Sequence, residues 1–310
     1  MGTVVTHADS RRIASLVHRA MGVTCRVTVH GHDAHVVARK CVEMLDKYEG
    51  LWSRFIASSD ICRLNAASGS TVWVDPMTAT LVAHMQAGVD ATGGRFNPTL
   101  LPWQVAAGDS ASLVDERVTT IDPGSRAFSD LSGIQVFRDG RVRLPAGMTL
   151  DAGGIAKGFA ADLITEMAIR MGADSVCINI GGDLRVSGPT PDGHGWNIDI
   201  LDPRDLTTRT DTVCIASGAV ATSAIGARNL KGSPLASHIL DSRPGDAPRR
   251  TIGASVIAST AAWSEVWAKF AILADVPEAL DTYDRNGLAV QIVLADGRIL
   301  HSRSWKDFRP

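Results

Sequence analysis

Residues 151–188 have the sequence DAGGIAKGFAADLITEMAIRMGADSVCINIGGDLRVSG, and this stretch indicates the fold class. After the glycines at its start, 158–171 has the pattern of a helix that a glycine ends. Residues 175–180 then predict a strand, the Gly-Gly-Asp at 181–183 a turn, and LRVSG (184–188) a second strand. A helix followed by two strands does not fit the regular strand-helix alternation of a doubly wound sheet, so it favours an α+β fold.

The rest of the chain mixes helices and hairpins in the same way. Thr24–His30 predicts a strand, and residues 33–55 predict a long helix with apolar residues at helical spacing. Asp75-Pro76 predicts the start of a second helix, which ends near a glycine pair at 93–94. Other predicted elements are hairpins at 134–144 and 291–302, strands at 196–201, 212–217 and 252–259, and a helix at 261–275. We therefore predict an α+β domain with mixed sheets and packed helices.

Composition excludes several classes of function. The chain has 31 Lys and Arg against 33 Asp and Glu, and its net charge of −2 gives no global basic field for nucleic acid or anionic lipid. Any bound anion must therefore be held by local groups. The five cysteines are odd in number and form no Cys-x-x-Cys pair, which predicts reduced thiols rather than disulfides or a zinc site. With no apolar run of the signal-peptide or membrane-spanning kind, we predict a cytoplasmic protein.

Residues 151–162 combine an acid, three glycines and a lysine before a helix, and these parts suit a bound phosphate. The stretch is not a Walker-type loop, because Lys157 is followed by glycine instead of a hydroxyl residue, and it does not match GxGxxG. From this stretch alone, a glycine turn leading into a helix is an equal alternative. Three further polar stretches lie at predicted element ends: RFNPT (95–99), NIGGD (179–183) and SHILD (237–241). Sites are usually built from such loop residues.

The order of these motifs resembles the ApbE family of flavin transferases, FAD:protein FMN transferase, over most of the chain. The resemblance is most distinctive at DAGGIAKGFAAD. The shared motifs in family order are Met21-Gly22, SSDICRLN (58–65), GGRFNPT (93–99), DAGGIAKGFAAD (151–162), INIGGDLRVSG (178–188), VATSA (220–224) and HILD (238–241). The resemblance predicts one ApbE-like domain over 21–310, after an N-terminal extension over 1–20.

This resemblance implies that the chain binds FAD, transfers its FMN half to a Ser or Thr hydroxyl of an acceptor flavoprotein and releases AMP, using Mg²⁺. We expect Lys157 to add positive charge at the pyrophosphate, Asp151 to orient groups, and His238 to act as the base, since imidazole titrates near neutral pH. The predicted cofactor-binding residues are Met21, Asn65, Phe96, Asn97, Thr99, Asp151, Gly153, Gly154, Lys157, Gly181, Gly182, Asp183, Ser223, His238 and Lys269.

The chain departs from the family pattern where a C-terminal helix supplies the Mg²⁺ ligands. The family's Asp and Thr correspond here to Glu265 and Lys269, with a backbone carbonyl near Ala156 as a further ligand. Glutamate still reaches Mg²⁺, whereas a protonated lysine is no ligand. Either Glu265 and Lys269 form an i,i+4 ion pair without a metal, or the Lys269 ammonium takes the place of Mg²⁺. FMN transfer is the favoured function; FAD binding without transfer and slow FAD pyrophosphatase activity are the alternatives.

Overall fold

The computed structural model of this protein describes residues 12–112, 114–225, 239–241 and 250–310. In chain order the elements are β1 (Ile13–Ala20), β2 (Val23–His30), α1 (Ala34–Trp52), α2 (Asp60–Ala66), β3 (Thr71–Trp73), α3 (Pro76–Ala91), α4 (Leu101–Ala106), β4 (Gln135–Val136), β5 (Arg141–Arg143), α5 (Ala156–Arg170), β6 (Ser175–Ile180), β7 (Asp183–Ser187), β8 (Trp196–Leu201), β9 (Arg209–Ile215), β10 (Gly218–Ala224), β11 (Thr251–Ala258), α6 (Ala261–Leu273), α7 (Val276–Arg285), β12 (Ala289–Leu294), β13 (Ile299–His301) and a final 3-10 helix, Arg303–Phe308. These elements form two compact units.

Unit 1 consists of the described residues within 1–47, 157–224 and 249–310. Its main sheet has the order β1-β2-β6-β7-β10-β11-β12-β13, and each neighbouring pair is antiparallel. Helix α6 packs on β10 and β11, and eleven of its 13 residues are buried. A helix that is apolar nearly all round belongs in an interior. The few polar side chains on α6 are therefore buried as well, and they need partners.

Unit 2 consists of the described residues within 48–156 and 225–248. Its small antiparallel sheet has the order β3-β5-β4. Helix α3 begins where the sequence predicts, because the Asp75 carboxylate accepts a hydrogen bond from the Met77 N–H at 2.8 Å and Pro76 occupies the first turn. The buried Asp60 carboxylate accepts hydrogen bonds from the Thr78 hydroxyl and the Asp75 N–H, both at 2.8 Å. This arrangement attaches the start of α3 to α2.

The predicted α+β class is confirmed, and each predicted helix and strand is present with ends within about three residues of the prediction. The N-terminal extension predicted over 1–20 contributes β1 to the main sheet. The sequence does not reveal β1, because two of its three large apolar residues, Ile13 and Val17, are exposed. The division into 1–20 and 21–310 stays a prediction. Within the part of the chain that is described, no helix has both the length and the apolar character needed to cross a bilayer.

Candidate functional site

Four charged side chains meet inside unit 1: Lys157 on α5, Asp183 on β7, and Glu265 and Lys269 on α6. We call them the charge cluster. The Nζ of Lys157 lies 3.0 Å from Asp183 Oδ2, and it also donates to Glu265 Oε1. The Nζ of Lys269 lies 3.3 Å from the same Glu265 oxygen. Only 1% of the Glu265 side chain is exposed, against 16% for each lysine. Solvent therefore reaches the charge cluster mainly at its two lysines.

Burial and neighbouring charges shift the pKa of every member of the charge cluster. Burial opposes the Lys157 ammonium, but Asp183 and Glu265 outweigh it and raise the pKa of Lys157. Burial also opposes the Glu265 carboxylate, yet Lys157 and Lys269 lower the pKa of Glu265. For the other two groups burial dominates, since it raises the pKa of Asp183 and lowers the pKa of Lys269. The Lys157–Glu265 pair is therefore ionised at neutral pH.

Two contacts, one helical turn apart, attach α6 to α5. The Gly158 N–H donates to Glu265 Oε2 at 2.9 Å. The Asp162 carboxylate accepts hydrogen bonds from the N–H groups of Ala261 and Ala262 at 2.8 and 2.9 Å. Burial raises the pKa of Asp162 to about 6, against the opposing effect of these two donors. The start of a helix leaves such N–H groups without partners of its own, so Asp162 satisfies and orients α6 from another helix.

Gly158→Ala is expected to lower the free energy of unfolding. A Cβ at Gly158 would lie 2.3 Å from the carbonyl oxygen of Ala261 and 2.6 Å from the Ala262 nitrogen. Because both are backbone atoms, α6 has to move away, and overpacking of this kind costs about 1–3 kcal/mol. Urea denaturation measures the change. Gly50→Ala on α1 is the control, because its Cβ would meet nothing within 4 Å and alanine favours the helix. Equal stability of the two variants would contradict the close approach of α5 and α6.

The other residues of unit 1 that were predicted to bind the cofactor lie in turns or on a strand. Met21 and Gly181 have φ angles of 54° and 63°, in the left-handed region. The Gly182 N–H donates to Asn179 Oδ1 at 2.8 Å, so this amide already has a partner. Ser223 is buried on β10. Cofactor binding by these four residues stays a prediction.

Unit 2 contains a cavity of about 640 Å³ whose wall includes Arg54, Phe55 and Thr149. The Arg54 guanidinium lies 4.6 Å from the centroid of the Phe55 ring, and its Nη2 is 2.9 Å from Asp109 Oδ2. Asp151 Oδ1 is 3.9 Å from Arg54 Nε. Among the described residues, Arg54 Nη1 and Thr149 Oγ1 are buried without a hydrogen-bond partner. An unsatisfied buried polar group costs about 1–3 kcal/mol, so these atoms favour a bound water or polar ligand.

The residues of unit 2 predicted to bind the cofactor make contacts within that unit. Asn65 lines the cavity, and its side-chain amide donates to the Leu150 carbonyl at 2.9 Å and accepts from the Leu150 N–H at 2.8 Å. Asn97 Oδ1 accepts hydrogen bonds from the N–H and the hydroxyl of Thr99 at 2.8 and 2.7 Å. Phe96 is buried. These contacts shape the loops, and their contacts with a cofactor stay predictions.

The two glycines in the segment before α5 differ in their exposure to solvent. The Gly153 N–H donates to Asp151 Oδ1 at 3.1 Å, Gly153 is exposed, and Gly154 is half-buried. Ala156, the predicted carbonyl ligand, is buried as the first residue of α5. His238, the predicted base, lies outside the described residues. Its role therefore stays a prediction.

Comparison with known proteins identifies the family. The model of the ApbE family matches residues 21–292. This chain belongs to the ApbE family. The FAD:protein FMN transferase of Treponema pallidum (strain Nichols) is 29% identical over 205 residues, which are 59% of this chain and 56% of that protein. This chain thus spans little more than half the length of that relative. The FAD:protein FMN transferase of Escherichia coli (strain K12) is 23% identical over 320 residues, with 94% of this chain and 86% of that protein covered.

Solved structures of ApbE proteins have the same fold. The ApbE protein of Thermotoga maritima is 25% identical, with a TM-score of 0.84, and 96% of this chain and 100% of that chain are covered. Flavin transferase ApbE from Vibrio cholerae is 19% identical, with a TM-score of 0.79 and coverage of 96% and 99%. The predicted membership of the ApbE family and the α+β fold class are thereby confirmed.

Proposed function

We propose that this ApbE-family protein binds FAD, transfers the FMN half to a Ser or Thr hydroxyl of an acceptor flavoprotein, and releases AMP. The observation that carries the proposal is the charged, mostly buried Lys157, which lies in the most distinctive family motif and belongs to the charge cluster. Relatives that bear the name FAD:protein FMN transferase support the same activity.

The proposed reaction is a displacement at the FMN phosphorus. The acceptor oxygen forms a bond to this phosphorus, and the bond from the phosphorus to the bridging oxygen breaks. AMP leaves with the bridging oxygen, and the hydroxyl proton goes to a base, for which we propose His238. Negative charge on the phosphoryl oxygens makes a positioned cation effective in the transition state. Lys157 is the residue proposed to provide that charge, because its raised pKa keeps it protonated at neutral pH.

The cavity in unit 2 supports the binding of a nucleotide ring system. Its volume of about 640 Å³ lies within the usual range for small-molecule sites. Phe55 offers an aromatic ring, while Arg54 and Thr149 each have a buried polar atom without a hydrogen-bond partner among the described residues. These are the groups that a flat, polar-edged ring system requires.

We also propose a cytoplasmic location. All five cysteines lie in the described part of the chain, and no disulfide joins any two of them. Burial raises the pKa of Cys41 and Cys177 to about 12, so these two thiols do not form the reactive thiolate. Cysteines that form no disulfide are typical of a reducing compartment.

The test is to incubate the protein with FAD and an acceptor flavoprotein that carries a Ser or Thr site, with and without Mg²⁺. We expect the mass of the acceptor to increase by one FMN, with one AMP released for each FMN transferred. Mass spectrometry and chromatography of the nucleotides measure both products. Absence of both products under all metal conditions would contradict the proposal.

A second candidate function is FAD binding without transfer. The observation that favours it is the neutral charge cluster, in which both oxygens of Glu265 already have partners. This candidate predicts that no AMP is formed in the same incubation, and that FAD raises the melting temperature of the protein in a separate thermal unfolding measurement. FMN and AMP in the absence of acceptor would instead identify a slow pyrophosphatase.

A further inference from the structure

The charge cluster does not offer the ligands that a divalent cation needs. Glu265 Oε1 accepts from Lys157 and Lys269, and Glu265 Oε2 accepts from the Gly158 N–H. Mg²⁺ requires free oxygen ligands at close range, and ammonium groups beside the carboxylate repel it. Among the described residues, no group of three or more His, Cys, Asp or Glu is placed to hold a metal ion. The predicted metal ligand Glu265 is thus engaged by cations of the protein itself.

Lys269 has capacity to bind an anion. Its Nζ lies 3.3 Å from Glu265 Oε1 and 3.4 Å from the Glu265 carbonyl oxygen. Charged N–H···O bonds are usually about 2.7–2.9 Å long, so both contacts are loose. They are the only hydrogen bonds that the described residues make with this ammonium, which has three N–H groups. One N–H and much of the charge of a partly exposed side chain are therefore available to a ligand.

The net charge of the charge cluster also favours the binding of an anion at Lys269. With all four groups ionised, Lys157 and Lys269 balance Asp183 and Glu265. With threonine at 269 the cluster would carry one negative charge, together with the carboxylate and hydroxyl that suit Mg²⁺. The lysine at 269 thus supplies the positive charge that a metal would otherwise bring.

We propose that the Lys269 ammonium takes the place of the divalent cation, so that this protein binds the pyrophosphate of FAD and releases AMP without Mg²⁺. This inference rests on the proposed function, and it concerns the same phosphorus displacement. Lys157 and Lys269 then provide two positive charges at one site. The carboxylates of Asp183 and Glu265 hold both lysines in place.

The test measures FAD binding by calorimetry and AMP release by chromatography, in EDTA and in excess Mg²⁺. For the unmodified protein, we expect the Kd for FAD and the rate of AMP release to change less than about twofold between the two conditions. Lys269→Thr is expected to weaken FAD binding by about 10–100-fold in EDTA, the loss of one charge-assisted contact, and to regain most of it in Mg²⁺. Lys269→Met offers no ligand oxygen, so its binding is expected to stay weak in both. Lys269→Arg keeps the charge and is expected to bind independently of Mg²⁺.

Circular dichroism and thermal unfolding of each variant establish that it is folded before binding is measured. Loss of FAD binding or AMP release from the unmodified protein in EDTA would overturn the inference while leaving the proposed transfer intact. Absence of FAD binding and of AMP release in both conditions would overturn the proposed function, and this inference with it. Equal FAD binding by Lys269→Met and the unmodified protein in EDTA would show that the ammonium does not contact the pyrophosphate.

Discussion

Lys157→Met is expected to lower the free energy of unfolding by about 3–5 kcal/mol, because it leaves buried carboxylates without their main counter-ion. The side chains of Asp183 and Glu265 are 6% and 1% exposed, and both contact the Lys157 ammonium. Lys269 remains beside Glu265, but its nearest contact there is 3.3 Å long. Methionine retains the apolar stem, so the loss is chiefly that of the charge. Urea denaturation followed by circular dichroism measures the effect.

Lys40→Met is the matched control for this variant. Lys40 forms an ion pair of 2.7 Å with Glu43, but both side chains are about half exposed or more. Exposed pairs contribute about 0–1 kcal/mol, so this variant is expected to retain nearly full stability. Asp183→Asn added to Lys157→Met is expected to recover part of the lost stability, since one unpaired charge is then removed. If the two single lysine variants are equally stable, the charge cluster does not stabilise the fold.

Arg54→Met is expected to destabilise the protein to a similar extent, by about 3–5 kcal/mol, because it breaks a buried ion pair. Both Arg54 and Asp109 are less than one-tenth exposed, and they are joined by a contact of 2.9 Å. Without the guanidinium, the buried Asp109 carboxylate loses the positive charge 2.9 Å away. Asp151 also loses the positive charge 3.9 Å away. Thermal unfolding with and without FAD measures stability and ligand binding together.

Arg117→Met tests whether burial causes the effect of Arg54→Met. Arg117 pairs with Asp115 in the same unit, but more than one-third of each side chain is exposed. Its removal is expected to cost less than about 1 kcal/mol. We also expect FAD to raise the melting temperature of the Arg117 variant as in the unmodified protein, and less in the Arg54 variant. If both variants have equal melting temperatures and equal shifts on adding FAD, the buried Arg54 contributes neither to stability nor to FAD binding.

The elements with a clear local signal could be predicted from the sequence. The Asp75-Pro76 pair marks the start of α3 because the carboxylate caps the helix and proline fits its first turn. The spacing of Glu265 and Lys269 predicts their mutual contact, since residues four apart share one face of a helix. Such signals depend on neighbours in sequence. They therefore predict where a helix or strand begins and ends, and which residues within it contact each other.

Contacts between distant segments of the chain could not be predicted in this way. Lys157 and Glu265 are 108 residues apart, and no local pattern shows that they meet. The sequence does not single out the buried Arg54, because arginine is rarely buried and its residue type suggests the surface. The sequence shows Asp162 only as the last residue of the motif at 151–162, whereas in the fold its carboxylate accepts hydrogen bonds from the N–H groups that start α6. These roles depend on which helix packs against which, and that is fixed by the whole fold.

The two attachments between α5 and α6 also determine how rigid this part of unit 1 is. The amide protons of Gly158, Ala261 and Ala262 are all donated to carboxylates, at 2.8–2.9 Å. They exchange with deuterium only when the two helices separate, so we expect them among the slowest amides in the protein. A ligand that reaches Lys157 then finds its partner helix already ordered. The entropic cost of fixing that helix is borne during folding, and the affinity of the ligand is not reduced by it.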